Sequence, residues 1–466
     1  MVKYKYIYII VLICIISTIG CGNVVDDDAL PEHPTFATDI APILQKNCLP
    51  CHRENGAAPF SLASYEAVKK RAKTIAKVTA NRIMPPWPAD PTYTHFVGER
   101  VLTDQQIALI QRWYEQGAVE GSSEYAYEAP NKYRSSIGKP DLVIPFSPID
   151  LKEGDADRFF ISKTHVHLEE GQYISALEFV PSKFGFVHHV NGHFLLYADG
   201  TKNKPQRTSA MIEVKEGVGA DAFQTLELGG NTGAMPFRIH SAFNYLPGVE
   251  GVQYPPGIGG FEVTKDFAAV MNDVHYGPSD ANYTDRSVLN VFFSDRKPDR
   301  PTAELMLGTN GVSKIVPKLL IPANQKTRHV SRYTIAEDIS VLTINPHLHQ
   351  LGKSFWAFAI KPNGDTIPLI RILRWDFNWQ YFYTFKQMLR IPAGSEIVAI
   401  AEFDNTSSNP NNPNNPPVAV GERWDYGGAS MRASDEMFQF IVTYTKYKKG
   451  DENISLEPKR LDPQNN

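Results

Sequence analysis

The chain has 466 residues and a formal net charge of −4, too long for one hydrophobic core, so two to four domains are expected. The near-neutral charge, with no basic block, argues against a nucleic-acid partner. An apolar fraction of 42% excludes a long disordered half.

Residues 1–21 read as an export signal. Lys3 and Lys5 precede an apolar run from Ile7 to Ile16, which ends at Ser17-Thr18-Ile19-Gly20-Cys21. Gly20 before Cys21 resembles a bacterial lipoprotein cleavage site, although Thr18 stands where such sites usually carry Leu. Cys21 would then be lipidated and tie the chain to a membrane. The rival is an uncleaved anchor, for which the run is short. Either way the chain is expected to be exported, to a bacterial periplasm or the outer membrane or cell surface. Residues 22–35 are acidic and Pro-containing, a tether.

From 36 to 121 the periodicity is helical. Ile40, Ile43 and Leu44 lead into Cys48-Leu49-Pro50-Cys51-His52, a helix is predicted over Tyr65–Val78, and another runs between Thr103 and Gly117. C-x-x-C-H is a covalent haem pattern: each thiol adds across one vinyl group and the imidazole ligates iron. A redox dithiol and a small zinc site are the competing readings. Cys14 and Cys21 belong to the signal, so no cysteine remains for a disulfide. Met84, in Arg82-Ile83-Met84-Pro85-Pro86-Trp87, is the expected sixth iron ligand, presented on a proline-stiffened turn, with His95 in reserve. The whole segment resembles a single-haem cytochrome c domain.

After a polar linker (122–138) the texture changes to short apolar runs separated by Gly, Pro, Asn and Asp. Strands are expected at Gln172–Val180, His193–Tyr197, Phe267–Val274, Ser287–Phe293, Ile339–Ile344, Ser354–Ile360, Glu396–Phe403 and Met437–Tyr444. Such spacing suggests two all-β units, 139–305 and 306–448, followed by a polar tail, 449–466.

Most of the thirteen histidines fall in this region. His347-Leu348-His349 ends a strand, where alternate residues share a face, so both imidazoles can reach one ion. His188 and His189 are neighbours, and successive strand residues point oppositely, so joint ligation needs a local bend. His275 lies in Asp273-Val274-His275-Tyr276-Gly277, and Met437 follows Ser434-Asp435-Glu436. Singly, each is more often a core or hydrogen-bonded residue than a ligand.

Together, and in this order, the four segments resemble the copper type II, ascorbate-dependent monooxygenases, the family of the peptidylglycine α-hydroxylating and dopamine β-monooxygenases. The resemblance spans about residues 140–448. It implies that His188, His189 and His275 hold an electron-transfer copper, and that His347, His349 and Met437 hold the catalytic, oxygen-binding copper, where a thioether favours Cu(I). It further implies hydroxylation of a substrate C–H: two electrons are consumed, one oxygen atom enters product and the other leaves as water. The fold expected is multidomain: a small all-α cytochrome c domain followed by two all-β sandwich, jelly-roll-like copper domains. The cofactors expected are two copper ions and covalent haem c, with ascorbate as a further external reductant; the partners are a small-molecule substrate, O2, an electron donor and a membrane.

His193 competes for a place in the first set and Met431 for that of Met437. His165-Val166-His167 is read as a surface pair. The peptidylglycine enzyme grips a carboxylate with an Arg two residues before its H-x-H and a Tyr four after its Met. Here Asn345 and Ile441 stand at those positions, which favours a neutral or apolar small substrate. The alternative function is a non-catalytic, exported haem and copper protein that only stores or passes electrons.

Overall fold

The computed structural model describes residues 30–54, 56, 58–122, 135, 137–155, 158–183, 185–201, 209–214, 222–231, 233–247, 249, 251–422 and 434–458. The expected leader with Cys21, most of the tether, and Met431 lie outside them. Among the described residues no helix is long and apolar enough to cross a membrane.

The helices are few and short. A π-helical turn, Phe36–Ile40, runs into Ala41–Asn47. Tyr65–Lys69 and Ala72–Ala80 follow. Asp104–Glu115 starts at a capping box in which Thr103 and Gln106 bond each other's backbone, and the chain turns away at Gly117, whose φ of 91° suits glycine. The helix expected over Tyr65–Val78 breaks at Lys70–Arg71. There Arg71 turns back to lie 4.3 Å over the Phe60 ring, which packs on His52 at 4.6 Å. Phe36, Leu44, Leu49, Val68, Ile110 and Trp113 form the apolar centre of this segment.

The expected fold class needs correction. Strand makes up 40% of the structure and helix 12%, and among the described residues no small all-α domain precedes the sheets. Between Asn81 and Thr103 the chain carries Pro85, Pro86, Pro88 and Pro91, which deny it backbone donors and helical φ/ψ neighbours. It runs extended instead and joins the β region. Ala89 bridges to Ile372 and Phe96 to Phe385, and both side chains enter the core of the last sheets. Asp90 clasps Arg371 there, at 2.9 Å to Nε. The N-terminal segment is thus a helical cap continuous with a β protein.

All the strand pairings are antiparallel. Two five-stranded sheets lie in the first half: Leu142–Pro145, Val288–Phe293, Gln172–Val180, Val252–Gln253 and Phe261–Val263 in one, and Ser209–Glu213, Arg158–His167, Asp266–Tyr276, Val187–Tyr197 and Phe237–Tyr245 in the other. They share one apolar cluster around Phe194, Phe243, Phe267 and Val274. In the second half, Ala303–Gly308, Phe438–Lys446, Ile339–Leu348 and Tyr383–Ile391 form a four-stranded sheet. Ile315–Val316, Lys326–Thr334, Glu396–Asp404, Gly352–Ile360 and Thr366–Ile372 form a five-stranded one. Their common core includes Phe355, Phe403, Phe438 and Phe440.

Candidate metal centres

His347 and His349 come from the end of the strand Ile339–Leu348. Their ring centroids are 5.1 Å apart with planes at 89°, so the alternation does bring both imidazoles to one place. The strand pairs with Phe438–Lys446, His347 opposite Gln439 and Leu348 opposite Phe438. His349 and Met437 lie one residue beyond the last pair, just outside the two strands. Residues paired across an antiparallel ladder point to the same side. His347 therefore shares a face with Gln439, while Leu348 and Phe438, fully buried, fill the core behind it.

His349 is held from two directions. Its Nδ1 lies 2.9 Å from the Asp435 carbonyl oxygen, a placement in which Nδ1 carries the proton and Nε2 keeps its lone pair. Its backbone N–H donates to the Glu436 carboxylate at 3.0 Å, and the other carboxylate oxygen accepts from Leu351 N–H at 2.6 Å. Burial pushes the His347 ring down to about 3, assisted by His349. Burial lowers His349 as well. Both are thereby kept neutral, the form that ligates metal.

In the first half, His275 stands opposite His189 in the ladder between Asp266–Tyr276 and Val187–Tyr197. The next pair is Tyr276 with Val187, so His188 is the extra residue of a β-bulge. That bulge is the local bend that two adjacent ligands require. The rings gather: His188 and His275 have centroids 4.8 Å apart, His189 and His275 5.1 Å. Phe159 stacks flat on His275 at 4.3 Å and 7°. His188 lies where Gly277 lacks a side chain; a methyl group there would overlap its Nε2 and stand 2.8 Å from Cε1.

Sequence reasoning missed Asp273. Its Oδ2 is 3.1 Å from His189 Nε2. Burial raises this carboxyl, but His189, then His275 and His349, outweigh it and hold it below its ordinary value. Asp273 in turn acts on His347 and His349. The two histidine sets thus lie within electrostatic reach of one carboxylate. Its place two residues before His275 on one strand was the available signal. Glu436 was also missed, although it directly precedes Met437.

Among the described residues no three His, Cys, Asp or Glu side chains have donors drawn closely enough to hold an ion as they stand. Ring centroids near 5 Å bring His188 and His189 beside His275, and His347 beside His349; thioether donors such as Met437 fall outside those four residue types. The donor chemistry fits copper: three imidazoles in one set, two imidazoles and a thioether in the other.

The haem motif folds as a tight turn, with His52 N–H donating to the Cys48 carbonyl at 2.8 Å. This turn puts Cys48, Cys51 and His52 at i, i+3 and i+4, on one side. His52 Nδ1 is 3.1 Å from the Phe60 carbonyl oxygen, a bond that favours the proton on Nδ1 and a lone pair on Nε2. Burial lowers His52 despite that bond. Burial, reinforced by Cys51, pushes the Cys48 thiol up to about 12. Burial also raises Cys51, opposed by Arg100, whose Nη1 is 3.8 Å from the sulfur. Two neutral thiols beside an imidazole with a lone pair on Nε2 fit covalent haem better than a low-pKa redox dithiol. The loop after the motif reaches the first histidine set: a methyl on Gly185, three residues before His188, would sit 3.7 Å from the Gly56 carbonyl oxygen.

The other sequence candidates separate clearly. Met84 is half-buried in the turn after Ala72–Ala80, its N–H donating to the Val78 carbonyl at 3.3 Å. His95 points outward, 62% exposed, and pairs with Glu99. His193 is buried, but four strand residues from His189 is about 13 Å, too far to share its ion. The expected surface pair splits: His165 is buried and stacks on Tyr197 at 5.1 Å, whereas His167 is exposed and bonds Asp266 at 2.8 Å. A cavity of about 1500 Å³, lined by Trp87, Arg100, Tyr254, Glu304 and Lys386, contains none of the six copper-ligand candidates.

No protein-family model matches the chain, and no curated protein does. Similar solved structures include the VP2 subviral particle of infectious bursal disease virus, 8% identical over 69% of this chain and 75% of that one, with a TM-score of 0.18. PNGF-II is 9% identical over 65% and 60%, also with a TM-score of 0.18. Likenesses at this level carry no argument about fold or function.

Proposed function

We propose that the chain is a copper-dependent monooxygenase that hydroxylates a substrate C–H with O2, of the type II ascorbate-dependent kind that its histidine motifs resemble. What supports this reading is the gathering of the His347 and His349 rings, 5.1 Å apart, beside the strand that Met437 leads into, together with the grouping of His188 and His189 around His275. Three protein ligands leave a coordination position free for O2, as a catalytic site requires. When bound, copper supplies the oxygen activation and the one-electron steps, one oxygen atom entering product and the other leaving as water.

The chain's own residues set the conditions. Asp435 and Glu436 fix the His349 ring and backbone. His188, His189 and His275 would hold the electron-transfer copper, and Cys48, Cys51 and His52, with Met84, would hold a covalent haem. The contact between Gly56 and Gly185 supports electron delivery within one chain, with ascorbate as the external alternative. Asn345 lies opposite Ile441 in the ladder, two places from His347, and its Nδ2 donates to the Tyr381 carbonyl at 3.0 Å. Neither side chain offers a charge, so the substrate proposed is a neutral or apolar small molecule.

Export and a membrane tether through Cys21 belong to this proposal too, carried by the leader sequence. They place the reaction in a bacterial periplasm or at the outer surface.

The test is a screen of neutral small molecules with the copper-loaded, reduced protein under 18O2. The proposal expects about two coppers per chain and a product heavier by one 18O atom. Copper and haem without any oxygen uptake would instead favour the non-catalytic electron carrier.

A further inference from the structure

The Asp273 carboxylate touches the imidazole of a copper-ligand candidate, and no ligand motif accounts for it. Its Oδ2 stands 3.1 Å from Nε2 of His189, with the two side chains 41% and 17% exposed. The geometry is built by the sheet. His275 is directly opposite His189, and Asp273 opposite Asn191, so Asp273 is the diagonal neighbour of His189 at a register shift between Met271 and Asp273. Among the described residues Asp273 has no Lys or Arg partner; its hydrogen bond and ion pair both go to His189.

We infer that Asp273 fixes His189 as the Nε2–H tautomer, so that Nδ1 faces the metal, and that its charge weights the first copper site toward Cu(II). The inference rests on the reading of His188, His189 and His275 as a copper set. A carboxylate that accepts the remote N–H of a ligating imidazole locks the ring's orientation and makes the other nitrogen more basic. A more basic donor backed by negative charge stabilises the doubly charged ion over the singly charged one. Among the described residues, the ion pair of Asp273 goes to His189.

Two variants separate hydrogen bond from charge. Asp273→Asn keeps an acceptor of the same size; Asp273→Leu removes both. In the metal-free full chain, 15N NMR of His189 should show the Nε2–H form in wild type and in Asp273→Asn, and lose that preference in Asp273→Leu. In His347→Ala protein, which isolates the first site, competition titrations with each copper ion alone should show Cu(II) affinity falling roughly 10–100-fold in both variants. Cu(I) affinity should change less. A tenfold change in that ratio is about 59 mV in a one-electron potential.

The inference is overturned if wild-type His189 carries its proton on Nδ1, or if Asp273→Asn leaves the ratio of the two affinities within twofold. A wild-type chain that binds no copper would sink the copper reading, and the NMR result would still decide the tautomer.

Discussion

Gly277 leaves the space in which the His188 imidazole lies, since a single methyl group at that position would overlap its Nε2. The bulge that delivers His188 beside His189 therefore depends on a residue two places after His275. In Gly277→Ala the ring has to swing away, because the far end of a side chain yields before backbone does. Stability should fall by only about 1–2 kcal/mol. Copper content should drop from about two to about one per chain, read by elemental analysis alongside a melting curve.

Asp90 and Arg371 join the N-terminal segment to the last sheets, and the pair predicts an acid dependence. Burial alone would raise Asp90, but the hydroxyl and N–H of Thr92 and the Arg371 guanidinium hold it below its ordinary value. A carboxylate depressed in the folded state adds stability above its unfolded pKa of about 3.9 and loses it as pH falls through its lower folded value. Arg371 is 36% exposed, so solvent screening limits the pair to about 1 kcal/mol. Asp90→Asn should lower the melting temperature at pH 7 and flatten the wild-type decline below pH 4. Proteolysis between Asn81 and Ala89 should quicken in the variant.

Much of the local structure was legible because its signals are local. The run Gln172–Val180 alternates in sequence and is a strand with those bounds, and Thr103 begins a helix as a capping residue should. The nearness of the His347 and His349 rings followed from strand parity alone. What was hidden depends on partners far along the chain. Pro85 to Pro91 read as a loop, yet Ala89 and Phe96 dock on residues almost three hundred positions later. That contact makes the helical segment part of a β protein. The slip that frees His188 is a property of the pairing between two strands, invisible in either one. His165 looked exposed on alternation, but its strand is buried along most of both faces.

Glu304 faces the cavity of about 1500 Å³ that also touches Tyr254 and Lys386, and burial pushes it up to about 8. An acid raised in the folded state keeps its proton while the unfolded chain has released it. Folding is therefore penalised increasingly as pH rises from about 4 toward 8. Glu304→Gln should be more stable than wild type at pH 8 by about 1 kcal/mol or more and equal to it near pH 4. Chemical denaturation at the two pH values checks the sign.

Gly56 against Gly185 sets the haem loop three residues from His188. Reduced haem should accordingly be reoxidised by the copper centres inside one molecule. Stopped-flow mixing with O2 should give a rate that does not change when protein concentration is varied tenfold. A rate proportional to concentration would mean that electrons pass between molecules.

Met437 is the residue on which the account turns, directly before the strand Phe438–Lys446 that pairs with His347 and Leu348. The most direct measurement is oxygen consumption by the reduced, copper-loaded chain, wild type against Met437→Ala, with the haem spectrum and copper content recorded on the same samples. The account predicts that the variant keeps its haem spectrum, loses affinity at the second copper site and consumes O2 at less than about a hundredth of the wild-type rate, the order expected when a metal ligand is removed. Unchanged copper content and unchanged oxygen use in Met437→Ala would contradict it.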